Sequence, residues 1–440
     1  MKFTIDRESL LKPLQQVIGV VERRQTLPVL GNLLVAADSN GIQITATDLE
    51  VEIQSRTNVD VEDAGDVTLP ARKLVDICKA LPEKAQIKFS ISDQKAQIRS
   101  GKSRFTLATL PAADFPVVES IKSDCQFSIA QSQLKELIER TQFCMAQQDV
   151  RYYLNGLMLE IANGLVRAVA TDGHRLALCD MPVDVRLSQP RQVIVPRKGI
   201  QELQRLLDDS DEAVQVQIGS NHIGITAAEL RFTSKLVDGR FPDYDRVVPK
   251  GGEKLGTADR ERLRQALSRT SILSNEKYRG IRLNLEKNII KIQAHNPEQE
   301  EADEEIEVDY NGGGLEIGFN VTYLLDVLSS VRSENIEITL SDSNSSCLLR
   351  EPGTEHRTRR GIHGRPSSHG RVLRQRLRHP ADRRPDQRQR LHRGIDAFLE
   401  QAGGRRYRPG PGEIIRDRAC LHPQERPALE HPPAERGCLR

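Results

Sequence analysis

The stretch FTIDRESLLKPL, residues 3–14, has two counterparts further along the chain, FSIAQSQLKELI at 127–138 and LGTADRERLRQAL at 255–267. Each counterpart predicts the same local structure: a short strand, a polar residue that caps a helix, and then an amphipathic helix. The starts of the three stretches are separated by roughly 125 residues, which indicates a threefold internal repeat.

The remainder of each unit repeats as well. Alternating apolar residues around Ser39-Asn40-Gly41, Ala162-Asn163-Gly164 and Glu286-Lys287-Asn288 predict hairpins. A second helix is predicted in each unit, from LPARKLVDICKAL (69–81), VPRKGIQELQRLL (195–207) and FNVTYLLDVLSSV (319–331). Two helices on a mostly antiparallel sheet make each unit an α+β layer.

Further strands end the first two units, at 105–116 and 232–244. The same spacing puts the closing strand of the third unit near His356, where the sequence has no alternation of apolar residues. We therefore expect domains at 1–123, 124–250 and 251–350, the third without its closing strand, and a disordered tail at 351–440.

Charge divides the chain at the same point. Residues 1–350 carry 43 Lys and Arg against 51 Asp and Glu, a net charge of −8. Residues 351–440 hold 21 Arg, no Lys and 11 acids, a net charge of +10. The two parts are chemically different, although the whole chain has a net charge of only +2.

The cysteine pattern and the hydropathy limit the classes of protein to which this chain can belong. The cysteines form no CxxC pair, which favours reduced packing residues over a disulfide frame or a zinc site; they are Cys78, Cys125, Cys144, Cys179, Cys347, Cys420 and Cys438. No run of 18 apolar residues occurs, and the amino terminus is charged, so we expect neither a membrane span nor a secretory signal. The expected location is the cytoplasm.

Six motifs closely resemble the beta clamp of bacterial DNA polymerase III. They are ERRQTLPVLGNLL (22–34), QDVRYYLNGLMLE (148–160), ATDGHRLAL (170–178), SKLVDGRFPDY (234–244), ILSNEKYRGIRL (272–283) and NPEQEEA (296–302). The resemblance covers about 350 of the 440 residues. It implies a DNA sliding clamp, a processivity factor that forms a ring of six similar domains as a head-to-tail homodimer, with helices lining the hole.

The resemblance also implies partners and the residues that bind them. The partners are double-stranded DNA, the polymerase III catalytic subunit, the clamp loader and other proteins with a clamp-binding motif. The residues implied to face DNA are Arg24, Arg72, Lys73, Gln148, Tyr152, Tyr153, Lys198 and Arg205. Those implied to form the partner-peptide cleft are Leu154, Thr171, Gly173, His174, Arg175, Leu176, Pro242, Arg246, Val247, Tyr323 and Ser346.

For the dimer seam, the resemblance points to Phe105 and Leu107 of the first domain meeting Ile272 and Leu273 of the third. Basic Arg72, Lys73 and Lys79 could also face an acidic run, Glu298, Glu300, Glu301, Asp303, Glu304 and Glu305. The outermost of these acids could alternatively form a solvated charge run. The residues implied to face DNA could likewise be ordinary surface charges. Tyr152 and Tyr153 could equally be half-buried packing rings.

An enzyme is the main rival class. Asp172 and His174 could act as an acid–base pair, and the acidic run could bind a metal ion. Neither has a partner at motif spacing, because the chain contains no HExxH, no Gly-rich phosphate loop and no GxSxG. We therefore expect no catalysis, no cofactor and no metal.

The tail leaves two alternatives open. Arg, Pro, His and Gly without Lys are typical of GC-rich DNA translated in a wrong frame, and the codons of residues 361–370, shifted by one base, permit Ala-Tyr-Met-Val-Val and then Pro-Met, close to the family's last strand. A frameshift between Pro352 and Arg360 would yield a defective clamp with impaired ring closure and partner binding. Alternatively, the tail is a basic arm for nucleic acid.

Overall fold

The computed structural model describes residues 1–21, 27–92, 94–118, 121–248, 254–343 and 345–353. The first unit contains two helices, α1 (Arg7–Val17) and α2 (Ala71–Ala80). Its strands are β1 (Lys2–Asp6), β2 (Asn32–Asp38), β3 (Gly41–Thr47), β4 (Val51–Thr57), β5 (Val61–Asp63), β6 (Gly65–Pro70), β7 (Gln86–Ser92), β8 (Lys95–Ser100) and β9 (Ser103–Ala108).

The second and third units repeat this order, except that in the described residues the second has one strand fewer before its second helix and the third has one strand fewer after it. The second has helices α3 (Gln131–Glu139) and α4 (Arg197–Leu206), with strands β10 (Cys125–Ala130), β11 (Gly156–Ala162), β12 (Leu165–Thr171), β13 (Leu176–Pro182), β14 (Arg191–Pro196), β15 (Ala213–Ile218), β16 (His222–Ala227) and β17 (Leu230–Lys235). The third has helices α5 (Arg260–Thr270) and α6 (Val321–Ser330), with strands β18 (Lys254–Asp259), β19 (Gly280–Glu286), β20 (Ile289–His295), β21 (Glu301–Glu307), β22 (Asp309–Tyr310), β23 (Leu315–Asn320), β24 (Asn335–Leu340) and β25 (Leu348–Arg350).

The predicted hairpins and helices are confirmed. The pairs β2–β3, β11–β12 and β19–β20 turn at the three Asn-containing positions, and every strand pair of the described chain is antiparallel. The α+β class with two helices in each unit is therefore correct. The closing strand expected near His356, and the tail beyond Gly353, lie outside the described residues.

The predicted helix caps are right in two units and wrong in one. The side chains of Asp6 and Asp259 accept the N–H groups of Ser9 and Arg262 at 2.9 Å and 2.8 Å. The equivalent residue before α3 is Ala130, which has no side-chain cap. That helix is instead held by its buried face, where Leu134, Leu137 and Ile138 join the core.

Strand pairing joins the first unit to the second edge to edge, as the repeat of helix pairs on sheets suggests. Strand β17 of the second unit pairs with β16 on one side and with β4 of the first unit on the other. This produces one eight-stranded sheet in the order β10-β15-β16-β17-β4-β3-β2-β6. Phe232 on β17 lies opposite Ile53 on β4, and both are buried. The first two units therefore share a backbone ladder and one hydrophobic core cluster.

The third unit has a core of its own, built from residues such as Leu267, Ile292, Phe319 and Leu349. Of the seven cysteines, the five that lie in the described chain are buried and unpaired, which confirms the prediction that these five are packing residues. Burial raises the pKa of the Cys78, Cys179 and Cys347 thiols to about 12, so they remain protonated. Among the described helices, none is long and apolar enough to cross a membrane.

Replacing Phe232 by Ala should destabilise the first two units together. Loss of a buried phenyl ring costs about 3–5 kcal/mol, which corresponds to a fall in melting temperature on the order of 10 °C for a unit of this size. Differential scanning calorimetry measures the change. Val150→Ala, at an exposed position, is the control and should leave the melting temperature unchanged; an equal effect of both variants would contradict the shared core.

Candidate functional site

A tight turn between β12 and β13 builds one side of the expected peptide cleft. The Asp172 carboxylate accepts the backbone N–H groups of His174 and Arg175 at 2.9 Å and 3.0 Å. The Thr171 hydroxyl donates to the Arg175 carbonyl at 2.6 Å. Gly173 has φ +85°, a conformation that glycine adopts without strain. The turn therefore fixes the direction in which the Arg175 side chain leaves the sheet.

Arg175 joins the second unit to the third. Its guanidinium donates to the Asp326 carboxylate on α6 at 2.5 Å and to the Phe143 carbonyl at 2.7 Å. The Tyr323 ring of α6 lies 4.6 Å from the guanidinium carbon, and the Phe143 ring lies 5.6 Å from it. Cation–π contacts and charged hydrogen bonds thus converge on one side chain that is only 11% exposed.

Aromatic and apolar side chains continue this surface. The His174 ring stacks against Tyr323, with 6.3 Å between ring centres. Leu154 and Leu176 are buried in a small cluster with Phe241 and Tyr244, and Val247 is 47% exposed nearby in the chain. Together these residues combine apolar contact area with polar anchors, which is the composition of a peptide-binding site.

Tyr244 ties the segment 241–248 to the sheet. Its hydroxyl donates to Glu160 at 2.5 Å and accepts from Arg167 at 3.1 Å. Burial and the Glu160 hydrogen bond raise the pKa of Tyr244 to about 12, so the hydroxyl remains a donor at neutral pH. The segment that carries Pro242, Arg246 and Val247 is therefore anchored on one side.

Arg246 and Ser346 are two further residues of the expected cleft. Arg246 is 77% exposed and forms an ion pair with Asp243 at 2.7 Å. Ser346 is half-buried and directly precedes Cys347, a core residue of the third unit. The structure also adds Phe143 and Asp326, which the motif did not include. The internal repeat is the feature of the sequence that could have pointed to these two residues. Phe143 occupies the position of Gly19 and Ile272, and Asp326 occupies that of Asp76 and Glu202.

The expected DNA-facing residues divide into two groups. Lys73, Gln148 and Tyr152 are exposed, and the Tyr152 ring meets Tyr153 edge to face at 5.8 Å. Arg72 is also exposed and donates to the Val21 carbonyl at 2.8 Å. Arg24 lies outside the described residues.

The loop that carries Gln148 and both tyrosines is held by an ion pair. The Arg151 guanidinium donates to the Asp149 carboxylate at 2.8 Å and 3.0 Å, and these hydrogen bonds lower the pKa of Asp149 to about 2. Asp149 therefore remains ionised, and its loop remains anchored, at any physiological pH.

Lys198 and Arg205 belong to the second group, because both contact the first unit. Lys198 forms an ion pair with Asp48. The Arg205 guanidinium donates to the Gln15 carbonyl at 2.9 Å and to the Gln16 carbonyl at 2.5 Å, at the end of α1, while it also pairs with Glu202. These two cations hold two units together, a role that the motif comparison did not predict.

The residues expected at the dimer seam lie in the first and third units. Strand β9, with half-buried Phe105 and buried Leu107, ends one described sheet, and β21, which carries part of the acidic run, ends another. Ile272, just after α5, is 75% exposed, and Leu273 is half-buried. Glu304 pairs with Arg269 at 2.6 Å, so part of the run is neutralised within its own unit.

Replacing Arg175 by Met should loosen the joint between the second and third units. Lost hydrogen bonds to charged groups cost about 1.5–3 kcal/mol, and urea unfolding monitored by a probe on α6 measures the loss. The matched control is Arg246→Met, which removes an exposed surface ion pair worth at most about 1 kcal/mol. Equal unfolding midpoints for the two variants would refute the joint.

Family models match the chain in three successive parts. The N-terminal domain of the DNA polymerase III beta subunit matches residues 1–119, the central domain matches 128–243, and the C-terminal domain matches 245–361. The beta sliding clamp of Pseudomonas aeruginosa is 59% identical over 352 residues, 80% of this chain and 96% of the relative. The beta sliding clamp of Escherichia coli is 51% identical over 356 residues, which cover 81% of this chain and 97% of that relative.

Solved structures agree with the sequence relatives. The Pseudomonas aeruginosa sliding clamp bound to griselimycin is similar with a TM-score of 0.81 and 57% identity, over 83% of this chain and 99% of that one. The Bartonella birtlesii clamp bound to griselimycin gives a TM-score of 0.79 at 36% identity, with the same coverage.

Three clamp units in one chain define a DNA sliding clamp as the class of protein. The chain belongs to the DNA polymerase III beta subunit family. It is a processivity factor of DNA replication and not an enzyme, and its family forms dimers that bind DNA and polymerase. The family matches end at residue 361, so most of the Arg-rich tail lies beyond them.

Proposed function

We propose that two copies of this chain close head to tail around duplex DNA in the cytoplasm, and that a cleft between the second and third units tethers polymerase III, the clamp loader and other motif-bearing proteins. The observation that carries this proposal is the ladder between β17 and β4. The second unit continues the sheet of the first, while β9 of the first unit and β21 of the third are edge strands of their own sheets in the described chain. Repetition of the same joint between copies would close a ring.

The internal repeat supplies a register for that closure. Phe105 on β9 takes the place of Phe232 on β17, and Ala302 on β21 takes the place of Ile53 on β4. An antiparallel pair in the same register would set Phe105 against Ala302 and Arg104 against Asp303. Cross-strand pairs of opposite charge stabilise a sheet, and the acidic run on β21 would then face a basic edge.

Ile272 should act as an apolar anchor of this seam, together with Leu273, Phe105 and Leu107. The Ile272 side chain is 75% exposed, so it offers apolar contact area that a second copy could bury in an interface. Its equivalent, Phe143, packs against the cores of both the second and the third units. We expect the partner's first domain to cover Ile272 in the same manner.

Ile272→Asp should convert the dimer to monomers. Loss of a buried anchor and burial of a charge weaken association by a factor on the order of 100 or more, and sedimentation velocity from nanomolar to micromolar concentration measures it. Val150→Asp, which places the same charge at an exposed apolar residue outside the seam, is the control. If Ile272→Asp dimerised as tightly as the unchanged chain, the seam would lie elsewhere.

DNA should be held by enclosure. Residues 1–350 have a net charge of −8, so a strong general attraction to phosphate is absent and sliding is not opposed by many tight contacts. We propose that Arg24, Arg72, Lys73, Gln148, Tyr152 and Tyr153 contact the duplex. Lys198 and Arg205 contribute positive potential while they remain engaged at the joint with the first unit.

The cleft should bind an extended peptide with apolar side chains. We propose that its walls are the motif residues Leu154, Thr171, Gly173, His174, Arg175, Leu176, Pro242, Arg246, Val247, Tyr323 and Ser346. Buried leucines would receive apolar side chains, and the His174–Tyr323 stack would border them. The Arg175–Asp326 pair would keep both walls at a fixed separation.

Val247→Asp should weaken peptide binding at least tenfold, because a charge would be desolvated in an apolar pocket. Fluorescence polarisation with a labelled peptide carrying the clamp-binding motif of the polymerase III catalytic subunit measures the affinity. The control is Leu255→Asp, since Leu255 is also 47% exposed but lies on β18. Unaltered affinity of Val247→Asp would exclude this wall.

The domain limits of this proposal are 1–123, 124–250 and 251–350. The family matches support them to within a few residues for the first two, and the third match extends further, to residue 361. The proposed limits leave residues 351–440 as a tail outside the clamp units. A read of the gene across codons 345–370 decides between a shifted frame and a basic arm.

A further inference from the structure

Two joints between units use the same helical positions. The residues before α2, α4 and α6 are Pro70, Pro196 and Asn320, which aligns the three helices. Likewise Asp6, Ala130 and Asp259 align α1, α3 and α5. At each joint within the chain, the second helix of one unit approaches the end of the first helix of the preceding unit, as α4 approaches α1 and α6 approaches the end of α3.

The joint between α4 and α1 shows what these positions do. Glu202 lies so close to Gly19 that a Cβ atom added there would be 2.0 Å from the Glu202 carboxylate. Arg205, three residues later, donates to the Gln15 and Gln16 carbonyls that end α1. A helix leaves its last carbonyls without partners and carries a partial negative charge at that end, so a cation there is stabilising. Arg205 caps a helix of another unit.

The joint between α6 and α3 uses the same positions with other groups. Asp326, the equivalent of Glu202, receives Arg175, and Phe143, the equivalent of Gly19, packs into both units. Glu139, the equivalent of Gln15, is bound by Arg332 at 2.8 Å. Arg332 follows α6 and contacts the Glu139 side chain, so in each joint of the described chain an arginine of the following unit lies at the last turn of the first helix.

The end of α5 has no following unit in the described chain to cover it. Ser268 and Arg269 correspond to Gln15 and Gln16, and exposed Ile272 corresponds to Gly19 and Phe143. The Arg269 side chain is drawn to Glu304 at 2.6 Å and 2.9 Å, which directs its charge towards β21. The Ser268 carbonyl accepts the Ser271 hydroxyl at 2.7 Å and retains a second lone pair.

Helix α2 is the one second helix of the described chain that approaches no preceding unit. Arg72, Asp76 and Lys79 are exposed on it and correspond to Lys198, Glu202 and Arg205. The cation–acid–cation order is the same in both helices. A first helix whose end no other unit covers thus corresponds to a second helix that approaches no preceding unit.

We propose that the Lys79 ammonium group of one copy donates to the Ser268 and Arg269 carbonyls of a second copy and caps its α5 across the dimer seam. The inference rests on the proposed head-to-tail dimer, in which the contact occurs twice. It gives Lys79 a backbone partner that differs from the acidic side chains of the run. Lys79 is a positioning residue for ring closure and not a DNA contact.

Sedimentation velocity of the full chain tests the proposal. Lys79→Met keeps the length of the side chain and removes its charge, and two lost helix-end contacts should raise the dimer dissociation constant about 3- to 30-fold. Lys79→Arg should restore or tighten the dimer, since arginine serves at the corresponding position 205. Lys88→Met, at an exposed lysine on β7, is the control and should leave dimerisation unchanged.

Further outcomes separate the alternatives. If the unchanged chain dimerises and Lys79→Met dimerises equally well with an unaltered melting temperature, the cap is wrong and the proposed dimer stands. If the unchanged chain stays monomeric at micromolar concentration, both fail. In a double-mutant cycle with Glu298→Gln, more than threefold coupling would assign Lys79 to an acidic side chain and overturn the carbonyl cap; no coupling supports it.

Discussion

The pairing of β17 with β4 is the interaction on which the architecture depends. The first two units each carry their own helix pair, yet the edge strand β4 of the first unit is paired by β17 of the second and does not face solvent. Strand edges carry unpaired N–H and C=O groups, so an edge strand that no neighbouring unit pairs is available to pair with another copy. The capped helix end at Arg205 reinforces the same joint from the helical side.

Strand pairing between units explains how DNA would be retained, by enclosure, more directly than an affinity of the protein surface for DNA does. Two of the cations implied to face the duplex, Lys198 and Arg205, are committed to the joint between units. The clamp part of the chain has an acidic total charge, and electrostatic attraction alone would hold DNA only weakly and with a strong salt dependence. This charge distribution favours the proposed retention of DNA by enclosure over retention by electrostatic attraction.

The repeat, the hairpins, the helices and the class of fold could be predicted from the sequence, because periodicity and turn residues report local structure. The cap of α3 could not, since Ala130 replaces the expected polar residue and packing of Leu134, Leu137 and Ile138 compensates. The partners of Arg175 and Arg205 were also missed. Long cations have many partners within reach, and tertiary placement selects among them. Phe143 and Asp326 occupy the repeat positions that Gly19 and Glu202 occupy at the joint between the first two units.

Retention on DNA of different topology tests the central claim most directly. Clamps loaded on a nicked circular plasmid should remain bound in 0.5 M salt and leave within minutes after a restriction enzyme linearises the plasmid, because salt screens phosphate contacts but does not open a ring. Equal retention on circular and linear DNA, or loss from the intact circle at this salt concentration, would contradict the account.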